Sequence, residues 1–118
     1  MSEKSIFEQA VECWGPVSQV GMVNEEAGEL FAALNHWRRG RGSVARVAEE
    51  LADLSIVLDQ LSYVIASGGI DPEKFTLMVG SFREQKLVRL QGLLQDGQAD
   101  HWCPGGQGHA LPSGQPAP

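Results

Sequence analysis

The sequence predicts an all-α protein, a bundle of four main helices, and three observations predict it. Apolar residues recur at alternating three- and four-residue steps through the middle of the chain, helix breakers and caps divide it into four segments, and no stretch alternates like a half-buried strand. The chain has 118 residues, 42% of them hydrophobic, which suits one domain with a packed core.

The segments follow from their punctuation. A short amphipathic stretch from Ile6 to Trp14 ends at Gly15-Pro16, and a proline-free run from Val17 to Trp37 ends at the turn Arg38-Arg39-Gly40-Arg41-Gly42. Ser43 caps a third segment, Val44 to Ser67, which stops at Gly68-Gly69. Asp71-Pro72, a capping side chain followed by proline at the first helical position, starts the fourth, which runs to about Leu94. Beyond it, Gln95 to Pro118 holds four of the six prolines and five glycines, so we expect residues 1–94 to form the domain and 95–118 a flexible Gly/Pro-rich tail.

The two middle segments carry matching seams. Val20, Val23, Ala27, Leu30, Leu34 and Trp37 in the second, and Val44, Val47, Leu51, Leu54, Leu58, Leu61 and Ile65 in the third, follow the 3.5-residue period of helices packed side by side. The third segment is also apolar off its seam, at Ile56, Val57 and Val64, more surface than one neighbouring helix covers. We therefore expect a homodimer or a homotetramer.

Charge excludes some classes of function. With 15 acids against 9 bases the formal charge is −6, the wrong sign for a nucleic-acid polymer as partner. No apolar run approaches the roughly 18 residues of a membrane span. Met1-Ser2-Glu3-Lys4-Ser5 lacks the pattern of a signal peptide, so the expected location is the cytoplasm, with Cys13 and Cys103 as free thiols.

The acids are concentrated. Glu25-Glu26-Ala27-Gly28-Glu29 lies in the second segment and Glu49-Glu50-Leu51-Ala52-Asp53 in the third. Glu26 and Glu29 share a helical face, as do Glu50 and Asp53, and each pair immediately precedes two seam residues. In an antiparallel hairpin, facing residues have position numbers with a constant total. Glu29 with Glu50 and Glu26 with Asp53 both total 79, which puts the midpoint in the Arg39-Gly40 turn. Four carboxylates brought together repel unless water or cations intervene, and oxygen ligands without His or Cys suit Mg²⁺, with Mn²⁺ as a substitute.

The ordered set Glu-Glu-x-x-Glu, a gap of twenty residues, then Glu-x-x-Asp resembles the signature of the MazG-like nucleotide pyrophosphohydrolases, all-α NTP pyrophosphatases of short phage and bacterial type. The resemblance runs from Trp14-Gly15 and Gln19 through both acidic motifs to Lys86-Leu87-Val88-Arg89-Leu90, and covers nearly all of the domain and none of the tail. It implies a Mg²⁺-dependent diphosphatase that converts a nucleoside triphosphate to the monophosphate and pyrophosphate by attack of water on the α-phosphorus. Carried over by position, Glu26, Glu29, Glu50 and Asp53 are the metal ligands. Glu25, near the face of Glu29, orients or deprotonates the water. Lys86, placed with Glu25 and Glu29 in the catalytic set, and Arg89 take the β and γ phosphates, while Trp14, Gln19 and Trp37 are candidates for the base. A preference for dGTP or GTP is implied only by the short relatives of this type.

Other readings fit less of the sequence. A di-iron carboxylate bundle expects Glu-x-x-His, and no histidine stands three residues after an acid. His101, Cys103 and His109 in the tail have no metal-site spacing. The non-enzymatic alternative is a helical dimerisation or adaptor module, with the acids as a solvated face.

Overall fold

Four helices and no strand make up residues 1–97, the part of the chain described by the computed structural model. They are α1 (Glu3–Trp14), α2 (Pro16–Arg38), α3 (Val44–Ala66) and α4 (Pro72–Gln95). The all-α expectation holds. Residues 98–118, and with them most of the expected tail and the residues His101, Cys103 and His109, lie outside the described residues. Among the described residues no helix is long and apolar enough to cross a membrane.

The boundaries have local causes. Helix α1 starts three residues earlier than its apolar pattern because the Ser2 hydroxyl accepts from the Ser5 N–H at 3.1 Å. Ser43 caps α3 by accepting from the Arg46 N–H at 3.1 Å, and Asp71 caps α4 ahead of Pro72. Helix α2 ends in a Schellman turn. The Arg41 N–H returns to the His36 carbonyl at 2.8 Å and the Gly40 N–H to the Trp37 carbonyl at 2.9 Å. Gly40 and Gly42 both have positive φ, 76° and 74°, a region that side chains with a Cβ disfavour, so this turn depends on its glycines.

Helices α2 and α3 form the central antiparallel hairpin; α1 packs on both, and α4 on α3. The fully buried apolar residues are few: Phe7, Ala10, Ala33 and Val64, with the Phe7 and Tyr63 rings 5.8 Å apart and tilted by 44°.

The hairpin closes on part of the expected seam, with Val23, Ala27, Leu30, Trp37, Val47, Leu54, Leu61 and Ile65 half-buried. Val20, Leu34, Val44, Leu51 and Leu58 all remain exposed, Leu51 by 53%. The buried line lies one residue earlier in α2, at Gln19 and Ala33 with half-buried Glu26 between them, all at heptad spacing. In α3 the side chains buried toward the hairpin include Glu50 and Gln60. Half-buried Val23, Ala27, Leu30 and Trp37 share this face, so α2 turns a partly polar face inward and leaves Val20 and Leu34 at its edge. Of the off-seam apolar residues of α3, Val64 is buried, Val57 is half-buried and Ile56 is exposed.

Candidate metal centre

Both acidic motifs lie mid-helix on facing sides of the hairpin. One carboxylate oxygen from each of Glu26, Glu29, Glu50 and Asp53 falls within 4.8 Å of the other three. This is the foursome expected from the position totals.

Glu50 is the deepest member, 2% exposed. Its Oε1 pairs with an Arg46 guanidinium nitrogen at 2.6 Å, and the same guanidinium reaches Glu49 at 3.5 Å. Its Oε2 is buried with no hydrogen-bond partner, as is the Oε2 of Glu26. Burial pushes the Glu50 carboxyl above the ordinary glutamate range, the nearby Glu29 carboxyl pushes it further in that direction, and the charge of Asp53 adds to it, while Arg46 pulls it down. Four carboxylates this close, two of them with a buried unpartnered oxygen, could hold a metal ion, and an all-oxygen donor set is one that hard cations prefer.

Toward the hairpin turn the centre opens into a cavity of about 150 Å³, lined by Glu29, Ala32, Ala33, His36, Gly42, Ser43 and Arg46. The cation nearest the carboxylates is thus Arg46, which the sequence reading did not single out. The available signal was its place four residues before Glu50, one helical turn away.

The remaining expected site residues are dispersed. Glu25 is exposed and is not one of the four converging acids. Lys86 and Arg89 lie on an exposed stretch of α4, where Lys86 lines a broad apolar depression of about 620 Å³ with Val79, Phe82, Arg83, Leu87 and Leu90. Neither lines the carboxylate centre or the cavity beside it. Trp14 is exposed at the end of α1, and Trp37 is half-buried with its indole N–H unpartnered. Gln19 is buried, and its side-chain carbonyl accepts from the Gln60 amide, so that oxygen is already engaged within the fold.

Comparisons of the chain with models of known families, with curated proteins and with solved structures return no match. The site's geometry therefore carries the functional argument.

The upward displacement of Glu50 fixes the sign of a pH effect. A carboxyl that holds its proton more tightly in the folded state than in the unfolded one costs stability when ionised, and the cost fades as pH falls through the raised folded value toward the ordinary 4.5. In EDTA at neutral pH, Glu50→Gln should therefore melt at a higher temperature than the native protein, with the gap closing on acidification. Added Mn²⁺ should raise the native melting temperature and leave that of Glu50→Gln unmoved. Identical melting curves from pH 8 down to about 5 would remove the burden assigned to Glu50.

Proposed function

We propose that the protein is a Mg²⁺-dependent nucleoside triphosphate pyrophosphohydrolase of the MazG-like kind. One observation carries this reading: four carboxylates from two helices converge within 4.8 Å, and the most buried of them keeps an oxygen that no protein group satisfies. A solvated acidic face would place these groups in water and apart.

In this reading Glu26, Glu29, Glu50 and Asp53 hold the metal. Bound Mg²⁺ would neutralise triphosphate charge, lower the pKa of the attacking water and stabilise the departing pyrophosphate. Glu25, adjacent to Glu26 in α2, accepts a proton from the water or orients it. Arg46 is committed to Glu49 and Glu50, so the phosphates need other cations. Lys86 and Arg89, without an ion pair among the described residues, are assigned to the β and γ phosphates. Trp14 and Trp37 offer aromatic faces to the base. Deoxynucleotides, with dGTP first, are the substrates to test, and the products serve pool sanitation or nucleotide supply in the cytoplasm.

Self-association belongs to the same proposal. Phe82 on α4 is 56% exposed, and it stands with Leu77, Met78, Val79, Leu87 and Val88, all exposed, on a helix with no fully buried residue. The outward seam of α2 and α3 adds Val20, Leu34, Leu51 and Leu58. So much apolar surface on so small a core fits a second copy of the chain as its cover. The adaptor reading accounts for these exposed flanks equally well, but it gives no reason for a buried, unsatisfied glutamate.

Two experiments test the proposal. With Mg²⁺ and a panel of canonical and modified nucleoside triphosphates, the protein should release monophosphate and pyrophosphate in equal amounts; orthophosphate as the product would place the attack at the γ position and overturn the mechanism. In the same assay Glu29→Gln should keep its helical circular dichroism and lose at least about 100-fold in turnover, beyond what is typical when a group behind a ligand is removed. Light scattering should give two or four times the chain mass of 12.8 kDa, and Phe82→Glu with Leu87→Glu should lower it. A native protein at 12.8 kDa would exclude self-association.

A further inference from the structure

We propose that the buried amide pair Gln19–Gln60 is a register pin, a pair of positioning residues that preassembles the four-carboxylate centre before any cation arrives. The two side chains are each 6% exposed and are joined by a hydrogen bond across 41 residues of sequence, from α3 to α2. Their position numbers total 79, the same as those of Glu26 with Asp53 and Glu29 with Glu50. Gln19 stands seven residues before Glu26, and Gln60 seven after Asp53, so the pair occupies the same heptad line about 10 Å further along the hairpin.

The connecting turn sets the midpoint of the hairpin through its Schellman hydrogen bonds and its glycines of positive φ, and beyond the turn the side chains hold the alignment. The apolar seam repeats interchangeable Val and Leu residues, and such repeats tolerate a shifted alignment unless a polar group forbids it. Both contacts of Arg46 lie within α3 and hold nothing between helices. The carboxylates, when ionised, oppose the alignment, because it brings like charges together. The buried amides favour it, since a shift of either helix would leave both without a partner in a place water does not reach.

This inference rests on the metal-centre reading, and the test separates the two. Mn²⁺ affinity, by paramagnetic resonance titration of the full chain, and the melting temperature in EDTA are measured for the native protein, Gln19→Met, Gln60→Met and the double Met variant. Methionine keeps the length of glutamine and removes its polar atoms. Each single variant strands one amide and should lower both quantities. The double variant strands none and should regain the melting temperature while binding Mn²⁺ about tenfold more weakly, the lower end of the loss seen when groups that orient ligands are removed. Recovery of both quantities in the double variant would reduce the pair to packing and overturn the proposal. If the double variant loses its helical circular dichroism, Gln60→Asn, which keeps the amide but withdraws it by one methylene, takes its place, and native Mn²⁺ affinity there overturns the proposal. A native protein that binds no Mn²⁺ overturns the metal centre itself, and the pin with it.

Discussion

The structure turns on what the α2–α3 hairpin buries. Two amphipathic helices with apolar seams ordinarily close on those seams, and here the half-buried seam residues share the inward face with Gln19, Glu26 and Ala33, while the facing helix contributes Glu50 and Gln60. Burying a carboxylate without a full set of partners is unfavourable, and it persists where another charge compensates. Arg46 supplies one such charge, on one oxygen of Glu50. The oxygens left over at Glu50 and Glu26 point to a cation as the other. The packing that buries Glu50, Gln19 and Gln60 leaves Val20, Leu34, Leu51 and Leu58 exposed, so the hairpin has a partly polar interior and a partly apolar exterior.

Much of the scaffold was legible in the sequence because its signals are local. Gly15-Pro16, Ser43 and Asp71-Pro72 each act on the backbone within a turn of where they stand, and the helix boundaries follow them within about three residues. The clustering of Glu26, Glu29, Glu50 and Asp53 was legible for a different reason: spacing fixes the face of a helix, and a short turn fixes the midpoint of a hairpin. What did not follow was the depth of Glu50 and Gln19. Hydrophobicity alone places Leu51 inward of Glu50 and Val20 inward of Gln19, yet Leu51 and Val20 are exposed while Glu50 and Gln19 are buried. Gln19 shows the same gap from the other side. Its partner lies 41 residues away, and no local pattern ties it to Gln60.

Charge tells where the acidity of the chain is spent. Asp96 and Asp100 fall after the fourth helix, which leaves a charge of −4 on residues 1–94. Without Glu25, Glu26, Glu29, Glu49, Glu50 and Asp53 that charge would be +2, so the negative field is local rather than general. Arg46 partly neutralises Glu49 and Glu50, but the four converging carboxylates still outweigh it. In the proposed function, such a site would repel a bare polyphosphate and accept one once divalent cations have offset its charge, which would make the cation a condition of binding as well as of chemistry.

That condition bears on stability too. Four fully buried apolar residues are a small core for 97 described positions, and repulsion within the centre works against even that. Ligands that bind only the folded state stabilise it by mass action, about 2.7 kcal/mol for a cation at one hundred times its dissociation constant. A gain of that size is a large part of the 5–15 kcal/mol that holds a typical domain together. A second copy over the outward seam would add apolar burial of the kind the isolated hairpin lacks. In the proposed function, a cation relieves the charge of the buried carboxylates and a second copy covers the exposed part of the apolar seam. A substitution that removes the buried charge of Glu50 would make the lone chain more stable, and it would do so by removing a carboxylate on which the proposed activity depends.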